Sequence, residues 1–426
     1  MAGHAGDSGV RPQPGSVYES PGGAVHRRSW YNRGVTRIYL DHNATTPVAP
    51  AVADAIDAAQ RSAFGNPSSI HHAGQAAKTA LDDARIALAG LIGAEPSEVV
   101  FTSGGSEADN LALRGAAEPG AAAGRRHLVA SAIEHEAVLQ TLKALGQAGW
   151  RITLVGVDAS GVVDPARLAE ALTDETALVS VMHANNEIGT LQPVAELAAL
   201  AHERGALFHT DAVQSVGKVP VDARALGVDL LSLSGHKFNG PKGVGALWVR
   251  RGTRLRSQLT GGRQERNRRA GTENVPALVG LGVAAALAQP KGADEAGRLA
   301  ALRDRLERGI LMSVPGTMVN GAPDRRIGNT TNISFDRVEA ESLLIALDLE
   351  GVAVSTGSAC SSGTLSPSHV LRAMGFSAHR TQNSIRFSLG LGNDEAQIDE
   401  VLTLLPGIVE RLRAVAGHRA PVAAER

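Results

Sequence analysis

The sequence predicts an α/β fold with a mostly parallel, seven-stranded sheet covered by helices. Short apolar runs alternate with helix patterns, an order typical of a parallel sheet that is wrapped by helices. The runs are almost continuously apolar, as expected for strands that are buried on both faces. Seven such runs lie between residues 98 and 251, and they read EVVFTS, HLVASA, ITLVGV, ALVSVMH, ALFHTD, DLLSLS and GALWVRR.

The helices between these runs carry their own boundary signals. PVAELAALAHERG has Pro193 near its start and Gly205 just past its end, as helices commonly do. After Pro290 the pattern changes to a charged helix followed by shorter strands and helices. We therefore expect a large domain over 37–290 and a smaller α+β domain over 291–426.

Composition is that of an ordinary globular chain with little net charge. The 426 residues include 43% hydrophobic and 20% charged residues, and the formal net charge is -1. Such a chain has no overall field to attract nucleic acid or a membrane surface. The longest apolar run, ALVGLGVAAALA, is shorter than the roughly 20 residues that a bilayer span requires. We expect neither membrane association nor direct nucleic-acid binding.

Residues 1–36 form a segment of different composition. They are rich in Gly, Pro, Ser and Arg and show no apolar periodicity, which predicts a disordered tail. The segment lacks the apolar core of a secretory signal. The chain has one cysteine, so no intrachain disulfide is possible, and this fits a reducing compartment. We expect a cytoplasmic protein.

Candidate site residues follow the predicted strands, because ligands of parallel sheets bind at the carboxyl ends of the strands. In FTSGGSEADN, Gly105 and Ser106 open a helix after a glycine turn, where free N–H groups can bind a phosphate. A plain turn with a serine cap is the alternative. In LFHTDAVQS, Asp211 and Gln214 end another strand. Asp211 can cap the next helix or accept a hydrogen bond from a protonated cofactor ring.

A lysine follows a third strand. In LLSLSGHKFNGPKG, Lys237 comes directly after an apolar run, together with Ser234 and His236. Most lysines are solvated surface charges, but burial at the mouth of a sheet lowers the pKa of the amine. A neutral amine can form a Schiff base with a carbonyl group.

His135, Asn186 and Arg386 are further candidates. His135 and Asn186 follow strands, where turn or cap roles are the ordinary alternative. Arg386 lies inside the strand pattern SIRFSLG. A buried arginine needs an anionic partner, either a structural carboxylate or a substrate carboxylate bound by two hydrogen bonds.

Cys360, the only cysteine, lies in VSTGSACSSGTLSP among Ser, Gly, Ala and Thr. A free cysteine usually packs in a core of larger apolar residues, and this one has no such neighbours in sequence. A single cysteine also excludes the common zinc and iron–sulfur cages, so no metal site is expected.

A phosphate-binding turn, a strand-end aspartate, a strand-end lysine and a later arginine are the parts that a pyridoxal phosphate enzyme needs. The sequence resembles the cysteine desulfurases, class V members of the fold-type I pyridoxal phosphate enzymes. It is most similar to the group that serves nitrogen fixation and iron–sulfur assembly. The resemblance covers the chain from about Ile38 to near its end, through YLDHNATTPV, GNPSSIHHAG, FTSGGSEADNLAL, IEHEAV, NNEIG, HTDAVQSVGKVP, SGHKFNGPKGVGALWVR, RRAGTENV, GSACSSGTLSPSHVLRAMG and SIRFSLG.

This resemblance implies roles for the cofactor residues. Lys237 forms the Schiff base with pyridoxal 5'-phosphate, and Asp211 pairs with the pyridinium nitrogen. Gln214 hydrogen-bonds the ring hydroxyl, and His135 stacks on the ring and assists proton transfer. The residues implied to hold the cofactor phosphate are Gly105, Ser106, Ser234 and His236, with Thr272 from a second subunit of a homodimer with shared active sites.

The resemblance also implies the reaction. Asn186, a cofactor contact as well, binds the carboxylate of L-cysteine together with Arg386, and Asn43 lies in the substrate site. Cys360 takes the sulfur as a persulfide, L-alanine is released, and a sulfur-acceptor protein such as an iron–sulfur scaffold collects the sulfur. The long form of the cysteine segment implies a mobile loop in the small domain. The resemblance also implies that about the first ten residues of the range 37–290 join the small domain.

The sequence departs from the common pattern of this family at three positions. Gly105 and Ser106 stand where relatives often have Ala and Thr, and Asn43 stands where they often have Ala or Ser. These replacements keep size and hydrogen bonding similar.

Two alternatives remain at this stage. One is another class V enzyme: a selenocysteine lyase, an aminotransferase or a kynureninase-like hydrolase, the last two of which need no thiol. The other is a nucleic-acid-binding protein that uses the arginine-rich stretch between Arg250 and Arg269. That stretch has no interleaved aromatic residues on which bases could stack.

Overall fold

The computed structural model describes residues 37–357 and 367–417, without the side chains of 290–293 and 416–417. The predicted tail and Cys360 lie outside these residues. The strands are β1 Ile38–Tyr39, β2 Val99–Thr102, β3 His127–Ser131, β4 Arg151–Val155, β5 Thr176–Ser180, β6 Leu207–Asp211, β7 Leu230–Ser234, β8 Gly245–Val249, β9 Thr317–Asn320, β10 Thr330–Phe335, β11 Val352–Ala353 and β12 Ser384–Ser388.

Helices connect most of these strands. They are α1 Pro50–Ser62, α2 His72–Leu91, α3 Gly105–Ala122, α4 Glu136–Gln147, α5 Pro165–Ala171, α6 Val194–Glu203, α7 Gln264–Asn267, α8 Val275–Ser313, α9 Ala340–Leu349, α10 His369–Ala373, α11 Ala378–Gln382 and α12 Glu395–Gly417. In this part of the chain, no helix combines the length and the apolar character that crossing a bilayer requires.

Seven strands form the main sheet, in the order β2-β8-β7-β6-β5-β3-β4. Strands β3 to β7 pair in parallel, whereas β8 runs antiparallel to both β2 and β7. Five of the strands are buried along their whole length, namely β2, β3, β5, β7 and β8. The predicted mostly parallel sheet of seven strands is confirmed.

The C-terminal part of the chain forms smaller sheets. Strands β12, β10 and β9 make an antiparallel sheet, and β1 pairs in parallel with β11. Ile38 and Leu40 are buried in the same apolar cluster as Phe335 and Phe387, so the first strand packs with the C-terminal strands. Helix α8 runs through the predicted boundary near residue 290. The division into two domains stays a prediction.

The carboxyl ends of the parallel strands carry the predicted site residues to one edge of the sheet. Asp211 ends β6, and Ser234 ends β7 just before the helical turn that contains Lys237. His135 follows β3 and is the N-cap of α4. Because parallel strands end at the same edge, side chains from distant parts of the chain converge there.

A buried ion pair anchors the segment before α8. The Arg85 guanidinium of α2 bonds both carboxylate oxygens of Glu265, at 2.6 and 2.7 Å, and Glu265 also accepts from the Phe101 N–H at 2.9 Å. Both side chains are more than nine-tenths buried. Glu265 and its next two neighbours, Arg266 and Asn267, have left-handed φ values of 47°, 56° and 63°. This pair therefore holds an unfavourable backbone turn against β2.

We expect Arg85→Met to destabilise the protein by about 3–5 kcal/mol, because it leaves the buried Glu265 carboxylate without a counter-charge. Urea denaturation followed by circular dichroism measures the change. The matched control is Arg61→Met, which breaks an exposed pair with Asp57 and should cost less than about 1 kcal/mol. Equal stability of the two variants would contradict the anchoring role.

Candidate active site

One cavity gathers the predicted site residues of the described chain, apart from Thr272. Its volume is about 250 Å³. The predicted residues that line it are Asn43, Gly105, Ser106, His135, Asn186, Asp211, Gln214, Ser234, His236, Lys237 and Arg386. Residues that are far apart in sequence therefore meet in one place, as the resemblance implied. The role of each residue is not tested by its position and remains a prediction.

One end of the cavity is suited to an anion. Helix α3 begins at Gly105, and the N-cap Gly104 has no side chain to satisfy the first N–H groups. A Cβ atom at Gly105 would come within 2.8 Å of the Val213 Cγ2 methyl group, so glycine lets the start of α3 lie close to this side chain without displacing it. Burial and the neighbouring Lys237 lower the pKa of His236 to about 4, which leaves this histidine neutral at pH 7. The attraction for an anion therefore comes from the helix end and from N–H and O–H donors.

Asp211 provides a buried carboxylate in the middle of the site. Its Oδ1 accepts from the Val213 N–H at 2.9 Å, so the side chain does cap the following turn. Burial raises its pKa, although the nearby His135 and Lys237 act in the opposite direction. A partly desolvated carboxylate of this kind is suited to bind a cationic N–H group.

Asp109 of α3 is a second buried carboxylate on this cavity. Within the described chain, its Oδ1 has no hydrogen-bond partner. Burial and the charge of Asp211 raise its pKa well above the usual value. Asp109 lies inside a helix and not at the end of a strand, so its position in the sequence does not mark it as a candidate.

Lys237 holds its amine at the cavity wall. Its Nζ donates to the backbone carbonyls of Asn43 at 2.6 Å and Ala44 at 2.9 Å. His135 Nδ1 accepts from the Ala137 N–H at 3.1 Å, which confirms a capping role for this residue and leaves Nε2 to carry the proton of the neutral ring. Burial lowers the pKa of His135 despite the nearby Asp211. The site therefore combines an amine with a neutral imidazole.

Arg386 has a structural carboxylate as its partner. Its Nη2 bonds Asp41 Oδ1 at 2.6 Å, and its Nη1 donates to the Asn186 carbonyl at 3.0 Å. The side chain is 4% exposed, and its Nε has no partner among the described residues. Asp41 is not among the residues that the sequence predicted for the site. It nevertheless comes just after a strand, β1, much as Asp211 comes at the end of β6. These two bonds use two of the five guanidinium N–H groups, so the guanidinium can bind a further anion.

Asn43 has its side-chain and carbonyl groups engaged by the protein. Its Nδ2 donates to Thr330 Oγ1 at 2.8 Å and to the Asn186 carbonyl at 3.1 Å. Its carbonyl oxygen accepts from Gln214 Nε2 at 2.9 Å as well as from Lys237. Asn43 thus braces the cavity wall, and its predicted contact with substrate stays a prediction.

Thr272 lines a different cavity, together with Phe101, Arg269 and Glu273. The single chain does not bring it to the cavity around Lys237. The prediction that it serves the active site of a second subunit therefore remains a prediction.

Comparison with known proteins supplies the family. A model of the aminotransferase class-V family matches residues 38–401. Cysteine desulfurase 2 of Trichormus variabilis is 49% identical over 380 residues, or 89% of this chain and 94% of that protein. Cysteine desulfurase IscS of Dictyoglomus turgidum is 47% identical over 382 residues, or 90% and 97%. A solved NifS-like protein matches with a TM-score of 0.82 and 35% identity, covering 90% of this chain and all of that one.

The chain belongs to the cysteine desulfurases of the aminotransferase class-V family. Desulfurases of this family depend on pyridoxal phosphate, and the cavity fits that cofactor. The uncapped start of α3 suits its phosphate, Asp211 suits its ring nitrogen, and the Lys237 amine suits its aldehyde. Residues 37–357 and 367–417 contain no group of three or more metal-ligating side chains placed to bind a metal ion.

Proposed function

We propose that this desulfurase takes the sulfur atom of L-cysteine as a persulfide on Cys360 and releases L-alanine. The observation that supports it most is the meeting of Lys237, Asp211, Arg386 and the start of α3 in one cavity. An amine, a carboxylate, a guanidinium and an anion cradle together match a phosphorylated aldehyde cofactor and an amino-acid substrate.

Each residue then has a task. When bound, pyridoxal phosphate supplies an electron-withdrawing ring at the substrate nitrogen. Lys237 Nζ would hold the cofactor in the resting enzyme, and as a free amine it would move the proton from the substrate Cα. Asp211 keeps the proton on the ring nitrogen. The Arg386 guanidinium orients the substrate carboxylate through a pair of hydrogen bonds.

The sulfur transfer is a nucleophilic attack by the thiolate of Cys360. An S–S bond forms between Cys360 and the substrate sulfur while the substrate C–S bond breaks. The electron pair of that C–S bond stays with the three-carbon fragment, which becomes alanine once it is protonated. Because the chain has one cysteine, the persulfide sulfur leaves to another molecule.

We further propose a cytoplasmic homodimer in which Thr272 completes the partner's phosphate site, with a sulfur-acceptor protein such as an iron–sulfur scaffold. The separate cavity that holds Thr272 supports the shared site, because within one chain this residue is not at the cofactor cavity.

The test is to incubate the purified protein with L-cysteine and to measure alanine and protein-bound persulfide. We expect both products and a yellow colour that borohydride discharges. A colourless protein that makes no alanine from L-cysteine and binds RNA with strong salt dependence would support the nucleic-acid alternative instead. Turnover of selenocysteine alone would support the lyase alternative.

A further inference from the structure

Lys218 lies directly behind the part of the cavity wall that Asn43 and Gln214 form. Its Nζ donates to Gln214 Oε1 at 2.6 Å and to Asn43 Oδ1 at 3.0 Å. The side chain is half-buried, and the sequence analysis gave it no role. A lysine in this place touches two residues of the cavity wall without lining the cavity itself.

The local backbone brings Lys218 to Gln214. The Val216 N–H bonds the Ala212 carbonyl, and the Val219 N–H bonds the Ser215 carbonyl, each at 3.0 Å, so the chain makes helical turns here. These turns bring Lys218 back beside Gln214. Gly217 fixes the path further, since its φ is +78° and a Cβ atom there would lie 2.6 Å from Phe238 Cβ.

The contacts of Gln214 determine which way its amide points. The oxygen and nitrogen of an amide are nearly alike in shape, so hydrogen-bond partners decide the orientation. The Asn43 carbonyl can only accept and faces Gln214 Nε2 at 2.9 Å, while the Lys218 amine donates to Oε1 from the other side. The second N–H of Nε2 is then the group that Gln214 can offer to the cavity.

Lys218 also contacts Asn43, on the same part of the cavity wall. Asn43 Oδ1 accepts from Lys218, and the carbonyl of Asn43 accepts from Lys237. Burial, together with the positive charges of Lys237 and Arg386, lowers the pKa of Lys218 well below its usual value. The amine donates to both of the side-chain oxygens that it contacts, Gln214 Oε1 and Asn43 Oδ1.

We propose that Lys218 is a positioning residue that holds the Gln214 amide with an N–H toward the cavity, where it donates to the hydroxyl oxygen of the cofactor ring. The inference rests on the proposed function, because the contact of Gln214 with the ring does. Without Lys218, the Gln214 oxygen loses its donor, and only the Asn43 carbonyl still favours this orientation of the amide.

A double-mutant cycle tests this mechanism, with the variants Lys218→Met, Gln214→Leu and their combination. The readouts are the visible absorbance band of the bound cofactor and the rate at which the holoenzyme releases it. For Lys218→Met we expect a shifted band and about five- to tenfold faster release, the size expected for one lost hydrogen bond. In the Gln214→Leu background, Lys218→Met should add no further change.

Two further variants complete the design. Lys143→Met removes an exposed lysine of α4 and should leave band and release rate unchanged. Lys218→Arg keeps a donor and should restore the band toward that of the wild type. Additive effects in the cycle, or a Lys218→Met enzyme with an unchanged band and release rate, would overturn the proposal. A wild-type protein without any cofactor band would refute the proposed function instead, so the two failures are distinguishable.

Discussion

A Cys360→Ala variant is expected to keep its bound pyridoxal phosphate and to form no persulfide. The residues that fit the cofactor, among them Lys237, Asp211 and Ser234, lie on the main sheet and its turns, and all are unchanged in this variant. The sulfur acceptor is the thiolate of Cys360, and the methyl side chain that replaces it in the variant has no sulfur atom to act as the nucleophile. Substrate should therefore bind and react no further than the step that needs the thiol.

The measurement combines absorbance of the bound cofactor with persulfide detection after addition of L-cysteine. Ser361→Ala is the matched control, because it changes the neighbouring residue and leaves the only thiol in place. We expect wild-type persulfide in the control and none above background in Cys360→Ala. Persulfide at the wild-type level in Cys360→Ala would remove this residue from the reaction.

The parallel core of the fold was predictable because all of its strands except β4 are buried on both faces along most of their length. Such strands appear in sequence as apolar runs, and helix patterns between them require parallel crossovers. The direction of β8 was not read from its apolar run, which has no direction of its own. It follows from the link of residues 235–244 between β7 and β8, which is too short to hold a crossover helix.

The candidate site was predictable where residues follow a strand and less so where contacts span the chain. Asp211 and Lys237 come directly after apolar runs, and the sheet brings them together. Lys218 and Asp109 have no such local signal, and Asp41 follows only the two-residue strand β1. Their places depend on contacts with Gln214, Asp211 and Arg386, which only the folded chain creates.

The partner of the buried Arg386 could likewise not be determined from the sequence alone. From the sequence, a structural carboxylate and a substrate carboxylate were both possible partners for Arg386. The structure pairs it with Asp41 through Nη2 and leaves Nε without a partner among the described residues. The ion pair holds the guanidinium in place, and its remaining N–H groups make it fit to bind substrate, so both interpretations of Arg386 are compatible.

The Lys237→Ala variant is expected to bind pyridoxal phosphate without a covalent link. The uncapped start of α3, Ser234 and Asp211 do not depend on the lysine, so noncovalent binding should persist. The amine itself is lost, and with it the group that reacts with the aldehyde and moves the Cα proton. Alanine production should fall by about 10⁴-fold or more, since both covalent attachment and proton transfer are removed.

Mass spectrometry after borohydride treatment measures the covalent link, and the rate of alanine formation measures turnover. Lys242→Ala is the control, because it removes an exposed lysine a few residues further along the same segment. In this control, borohydride should still link the cofactor covalently to Lys237, and the rate of alanine formation should match that of the wild type. A near-wild-type rate in Lys237→Ala would assign the Schiff base to another amine.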